Sequence, residues 1–540
     1  MSRSILKLNQ LFLVLLVVSV LVACSTTSSD SPLSSLSIEP PTKVSTIALN
    51  LVRPTVTFTP LPPSATPIPS STITPSMTPT VTNTPWAKPT SGPTPTYVPG
   101  WYQVQSGDTP YGIAIKYDMS LEQFVEINQL NENLRLDVAD IVAVWKPVRK
   151  QLPQSYLIHD SEVVYSPAYR EWDTQKFVEE QDGFLAEYSE LIKLEQEKEA
   201  EEISGAEMID MMATKYHIGP RVLLGTMEMI SGWVSKKRPQ TKYAFGLRDP
   251  GRAKLSQQMA WAAEELLHGY YVQLEGRGDW VVPRNGITTR LYPGTNAGSA
   301  AIIYLLARVI KPASDLPLIL EEERFQKTYQ RLFGEIDGGP VMPLDGKQPY
   351  FAMPFADGER WSFSGGPHGG YFDYYSAWAA LDFAPPLKNR CRLAPNPVYA
   401  ISSGLVVSSD KGETWIDIDE DGDIHTGWSL LYMHLGTEGR IQKGERVQTG
   451  DQLGYPSCEG GFSSASHVHI ARMYNGQWMP ADRPIPFQIG DWIAEARLNN
   501  SYKGFLLNTV TGYRLESCFC RIEEMNIFPG DQPIPPTLTP

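Results

Sequence analysis

The first apolar run of the chain, Leu11 to Val22, follows Arg3 and Lys7. It is shorter than the roughly 20 residues of an ordinary membrane span and has the character of a signal-peptide core. From Ser25 to Val98 Ser, Thr and Pro dominate, with one modest apolar patch around Ile47 to Val52. Such a segment predicts a partly extended spacer, whose 74 residues reach roughly 50 Å as a coil and about 230 Å as polyproline II. Periodicity then returns. Tyr102 and Val104 alternate as a short strand and Gly107-Asp108 makes a turn. Thr109 stands to cap a helix carrying Ile113, Ala114, Ile115 and Tyr117, and a second helix covers Leu121 to Asn128. Between about 151 and 335 the pattern is largely helical. Met208, Ile209, Met212, Ala213 and Tyr216 recur at helical spacing, as do positions in Leu255 to Tyr270 and Ala297 to Val309. Lys193 to Glu202 reads as a charged surface run. From Phe355 the texture changes to short strands and Gly-rich turns. Strands are expected at Val398 to Val407, Thr414 to Ile418, Leu430 to Leu435 and His467 to Met473, in a mostly antiparallel sheet open at one groove.

These shifts divide the chain into a leader (1–24), a linker (25–98), a small module (99–148), a helical domain (151–335), a β domain (340–490), an extension (491–528) and a proline-rich tail (529–540). At 540 residues it exceeds what one hydrophobic core organises. Lys and Arg number 46 against 60 Asp and Glu, a formal charge of -14, which argues against nucleic acid as a partner. Leu21-Val22-Ala23-Cys24 resembles a bacterial lipobox, which implies lipidation of Cys24 and attachment of an exported protein to a membrane. Outside the cytoplasm Cys391, Cys458, Cys518 and Cys520 become candidate disulfide partners. Cys518 and Cys520 are awkward partners for each other, which favours longer-range links.

Histidine placement brings in chemistry. On a strand, His467 and His469 face the same way with Cα atoms roughly 7 Å apart. Zinc accepts imidazole and carboxylate, and His368 and Asp382 could complete a three-ligand set if the intervening loop folds back, with His434 arriving from a neighbouring strand. Asp373 is a competing carboxylate, but Leu381-Asp382-Phe383 alternates as a strand should. His159, His217 and His268 read as surface or satisfied core groups. Asp417-Ile418-Asp419-Glu420-Asp421-Gly422-Asp423 mimics the first half of a calcium loop. Trp428 stands at position twelve where a glutamate belongs and no helices flank it, so an acidic turn between strands is expected.

Three resemblances sharpen this. Residues 101 to 147, with Tyr102-x-Val104-x-x-Gly107-Asp108-Thr109, Ile113-Ala114-x-x-Tyr117 and Ile127-Asn128-x-Leu130, resemble a LysM module. That implies a βααβ fold binding N-acetylglucosamine polymers, with Gly107, Asp108, Thr109 and Asn128 as candidate positions. Residues 340 to 490 resemble the M23 (LytM/lysostaphin-like) zinc endopeptidases at Gly366-Pro367-His368-Gly369, Leu381-Asp382-Phe383-Ala384, Tyr432-Met433-His434-Leu435 and His467-Val468-His469. The resemblance implies Zn²⁺ held by His368, Asp382 and His469, with His434 and His467 as catalytic residues. His467 would move the proton and His434 would hydrogen-bond to the oxyanion, although their parts could be shared or reversed. His368 and Asp382 stand fourteen residues apart where the family usually leaves four, so Gly370 to Ser376 reads as an insertion. The helical region is weakly similar to lysozyme-like transglycosylase domains at Pro220 to Trp233, but Ile230 replaces the acid before Ser231, which implies a noncatalytic scaffold.

The expectation is therefore a multidomain lipoprotein: a LysM βααβ module, a largely α-helical lysozyme-like middle domain and a mainly antiparallel β peptidase. It would cut amide bonds in peptidoglycan peptides while LysM binds the glycan, outside the cytoplasm and with no nucleic-acid partner. The alternative is a noncatalytic peptidoglycan-binding lipoprotein or an amidase activator.

Overall fold

A computed structural model describes residues 97–105, 108–117, 119–128, 130, 136, 141–147, 151–193, 199–278, 280–281, 289–311, 315–336, 338–387, 391–497, 500–518 and 526–527. The leader with Cys24, residues 25–96 of the linker, Gly107 and Cys520 lie outside them. The first module is βααβ. β1 (Tyr97–Gln103) pairs antiparallel with β2 (Ile141–Pro147) around α1 (Pro110–Lys116) and α2 (Leu121–Asn128). The Thr109 hydroxyl accepts from Gly112 N at 3.0 Å, and Pro110 fills the first helical turn, where its missing N–H costs nothing. Asn128 ties α2 to β2, accepting from Ala143 N at 2.6 Å and donating to its carbonyl at 2.8 Å.

The middle region runs through α3 (Asp160–Val163), α4 (Thr174–Gln181), β3 (Ser189–Ile192), β4 (Glu201–Ser204), α5 (Gly205–Tyr216), α6 (Pro220–Ser231) and α7 (Leu255–Leu274). After two-residue β5 (Trp280–Val281) and β6 (Thr289–Arg290) come α8 (Ala297–Val309), α9 (Leu316–Glu321) and α10 (Arg324–Phe333). The charged run is bounded by the antiparallel strands β3 and β4, which helical periodicity elsewhere in this region did not foretell. A capping box between Ser204 and Glu207 then starts α5.

The β domain contains β7 (Trp361–His368), β8 (Ala380–Ala384), β9 (Val398–Tyr399), β10 (Gly404–Asp410), β11 (Glu413–Asp417), β12 (Trp428–Met433), β13 (Arg446–Val447), β14 (Gln452–Gly454), β15 (Val468–Tyr474) and β16 (Gln477–Trp478). The expected strand at 398–407 is split into β9 and β10, which enter different sheets. Among the described residues the main sheet runs β13-β10-β11-β12-β15-β8-β7 and ends on the short strand Asn526–Ile527 beside β7, while β16 pairs with β15; all neighbours are antiparallel. A smaller antiparallel sheet follows, β17 (Gln488–Ile489), β18 (Trp492–Glu495), β19 (Phe505–Asn508) and β20 (Arg514–Glu516). Its Ile489, Trp492, Ala494, Leu506 and Leu515 share one core with the main sheet, so the extension packs as part of the β domain.

Both faces of the central strands are covered, and strand alternation decides what lies where. Leu430, Tyr432, Val468, Ile470, Leu381 and Phe383 point into the core shared with the small sheet. Trp415, Leu431, Met433, Ala471, Met473 and Ala380 point the other way, into a core continuous with the helices. Asp382 and His469 have the parity of this second set. The site therefore sits on the face that also carries the helical domain. No helix among the described residues is long and apolar enough to cross a membrane.

Candidate active site

Register puts the metal-ligating side chains together. His469 in β15 lies directly opposite Asp382 in β8, and also pairs with Met433, the residue before His434. His368 ends β7, where two register shifts carry it to the level of Ala380. A Cβ at Gly365 would stand 2.9 Å from Asp382 Oδ2, so the glycine clears space for the carboxylate.

His368, Asp382 and His469 are all buried, and their ligand atoms lie within 4.8 Å of one another. His368 Nε2 is 3.2 Å from His469 Nδ1, and Asp382 Oδ1 is 3.2 and 3.3 Å from these two nitrogens. The far nitrogens face carbonyls: His368 Nδ1 is 3.1 Å from Ala380 O and His469 Nε2 is 2.9 Å from Gly370 O. A carbonyl only accepts, so those nitrogens carry the protons and the near ones present lone pairs. Asp382 Oδ1 has no hydrogen-bond partner. Three acceptors thus converge. One proton would pair two of them, whereas a divalent cation that takes imidazole and carboxylate satisfies all three, which is the donor chemistry of zinc. Burial would raise the Asp382 carboxyl; when no cation is bound and His368 and then His467 take up an extra proton, their charge holds it well below the usual carboxylate range.

Two further histidines face the set. His467 immediately precedes β15, and its Nε2 is 3.6 Å from Asp382 Oδ2 while Nδ1 is 2.8 Å from Ala465 O. His434 takes a left-handed conformation (φ 65°) that turns its ring to 4.5 Å from the His467 ring, with Nδ1 2.9 Å from Glu459 O. Burial first, then His467 and His469, push His434 down to about 3, so its ring is neutral at physiological pH.

The insertion forms a tight turn. Asp373 accepts from Gly369 N at 2.6 Å, outside the metal-ligating set, and Ser376 Oγ accepts from Tyr371 N and Phe372 N. Tyr374 stacks on His268 of α7 at 4.2 Å and Tyr375 lies on Tyr216 of α5, so the helical domain braces the turn beside His368. Sequence reasoning missed Tyr502, whose ring lies 4.1 Å from His368 and which arrives from the turn before β19. It also missed the carbonyls of Gly370, Glu459 and Ala465, because backbone acceptors leave no signature in residue type.

The other expectations place as follows. Cys391 and Cys458 form a disulfide across 67 residues, and Cys518 is also disulfide-bonded. Asp108 closes its turn by accepting from Gln105 N and the Tyr102 hydroxyl. His159 caps α3, and His217 pairs with His425 at 3.0 Å. Glu228 is buried against Ser235 and Arg331.

A buried His-Asp-His set on an antiparallel sheet, overlooked by two histidines, defines the site of a zinc metallopeptidase. The comparisons agree: residues 381–480 match peptidase family M23, residues 102–144 the LysM domain, and residues 156–342 the LasA N-terminal domain. The chain thus carries an M23 peptidase domain behind a LysM domain. It is 24% identical over 299 residues to protease LasA of Pseudomonas aeruginosa, spanning 51% of this chain and 67% of that one. Among solved structures it is similar to pseudoalterin, an M23 metalloprotease from the deep sea (22% identity, 32% of this chain, 96% of that one, TM-score 0.24). The catalytic domain of lysostaphin from Staphylococcus simulans also matches (25% identity, 23% of this chain, 89% of that one, TM-score 0.17).

Proposed function

We propose that the protein is a zinc-dependent endopeptidase that hydrolyses amide bonds in the peptide stems or cross-bridges of peptidoglycan, with the LysM domain holding it on the glycan. The observation that carries this reading is the convergence of three buried acceptor atoms, from His368, Asp382 and His469, with nothing but a cation to satisfy them together. Zinc held there supplies Lewis-acid polarisation of an amide carbonyl and makes water nucleophilic at neutral pH.

The residues around it divide the remaining work. His467 takes a proton at Nε2, which faces the Asp382 carboxylate at 3.6 Å, and passes it to the departing amine. His434, kept neutral and with its Nδ1 proton committed to Glu459 O, meets the site with a lone pair at Nε2. In that tautomer it orients water by accepting a hydrogen bond. The oxyanion contact expected from the family resemblance requires a proton to reach Nε2. The Ser/Thr/Pro-rich sequence from 25 to 98 and a lipidated Cys24 complete the reading, tethering the catalyst to a membrane through a spacer that lets it work away from the lipid surface.

The test uses the whole chain, because the helical domain shares a core with the peptidase sheet. Purified protein should contain one zinc and release new amine ends from purified peptidoglycan, and His469→Ala should lose both. A natural protein that binds no zinc, or releases no new ends, would overturn the proposal.

A further inference from the structure

The loop between β11 and β12 holds a second cluster of oxygen donors, remote from the zinc set in sequence and unused by the reaction. Asp417, Asp419 and Asp421 each bring a carboxylate oxygen within 4.8 Å of the others. Acidic residues alone would not define a site, since solvated carboxylates commonly gather in turns. Asp417 is different. It is fully buried at the end of β11; its Oδ2 accepts from Gly422 N at 2.8 Å, but its Oδ1 has no partner. A buried carboxylate oxygen without a donor is costly: burial, and then the hydrogen bond shared with Asp419, push the Asp417 carboxyl up to about 7, and a cation among the three carboxylates would take the place of that proton.

The backbone is shaped around this cluster. The Asp419 side chain folds back over the loop to where a Cβ on Gly427 would stand, so only glycine leaves room for it, and Gly427 itself takes φ 57°. Asp421 is fixed by the Thr426 hydroxyl at 2.9 Å, by Asp423 N at 2.9 Å and by Arg170 at 3.0 Å. Spacing agrees as well. Asp417, Asp419 and Asp421 stand at positions 1, 3 and 5 of an oxygen-ligand loop, Gly422 at the turn position 6, and the Asp423 carbonyl at position 7. Trp428 at position 12 supplies no ligand, which removes the bidentate glutamate but not the first half of the site. The loop is also a bearing surface: His425 meets His217 at 3.0 Å and Tyr165 at 4.4 Å, and Arg170 reaches it from the helical domain.

We propose that Asp417, Asp419 and Asp421 form a binding site for a hard divalent cation, calcium in preference to magnesium, which fixes the β11–β12 loop against the helical domain. Three carboxylates gathered from one turn suit the larger, less geometrically strict ion. The missing twelfth ligand places affinity at the weak end, a dissociation constant of about 10⁻⁴ to 10⁻³ M.

Equilibrium dialysis of the zinc-loaded full chain against ⁴⁵Ca²⁺, with thermal melting in calcium or magnesium chloride, tests this. The natural protein should bind one calcium and melt several degrees higher in about ten times the dissociation constant of calcium, but not in equal magnesium. Asp419→Asn, at an exposed position, should lose calcium binding and the melting shift while retaining zinc; His469→Ala should retain both calcium effects. Absence of calcium binding up to 10 mM, equal binding by Asp419→Asn, or loss of calcium binding in His469→Ala would each overturn the proposal.

Discussion

Gly370→Ala is a sharp test of how the insertion serves the metal site. A Cβ there would lie 2.6 Å from Cε3 of Trp478 and 2.9 Å from Cδ2. Trp478 has no room to retreat: it is 2% exposed and packs on Trp415 and on the edge of His217. Carbon atoms rest at about 3.5–4.0 Å, so the backbone of residue 370 must withdraw by roughly 1 Å. Its carbonyl, now 2.9 Å from His469 Nε2, would pass beyond hydrogen-bonding distance. Two costs follow. Overpacking should lower stability by about 1–3 kcal/mol. Loss of the group that fixes the His469 tautomer should weaken zinc binding by about 10- to 100-fold, or roughly 1.4–2.8 kcal/mol. Competition against a chelating dye measures the second and thermal melting the first. Gly339→Ala, where a Cβ meets nothing within 4 Å, is the matched control. A folded Gly370→Ala protein with natural zinc affinity would refute the assigned role of the Gly370 carbonyl.

His434→Ala should keep its zinc and lose about 10²- to 10⁴-fold in kcat, read from single-turnover peptide release and metal analysis on the same sample. Replacing Cys391 and Cys458 by serine releases a 67-residue separation; chemical denaturation should show a loss of about 4 kcal/mol. Burial pushes His268 down to about 4, below the roughly 6.5 of an unfolded chain. The unfolded state therefore takes the proton first, so this contribution to stability is fully present above pH 6.5 and is lost as pH falls toward 4. Between pH 7 and pH 5 the natural protein should lose up to about 2 kcal/mol more than His268→Gln, less any screening at this partly exposed ring.

The sequence by itself determined the chemical inventory and much of the architecture. A two-residue period at His467-Val468-His469 put both rings on one side of the chain, and the LysM and M23 resemblances named the domains that the comparisons then matched. Helix α8 was legible to its ends, 297 to 309, because its apolar positions are continuous and local. The fourteen-residue separation of His368 and Asp382 was ambiguous for the opposite reason: linear distance says nothing about register. Only the β7–β8 pairing, with its shifts, brings the two within 3.2 Å and leaves Asp373 holding Gly369 N. The same limit applies to Asp417. Its spacing is visible in the chain, but whether a carboxylate in that turn is solvated or buried without a donor depends on what packs over it. Tertiary structure likewise decided that the helices and the peptidase sheet share a core, because alternate residues of β11, β12 and β15 are apolar on both faces and each face needs a cover.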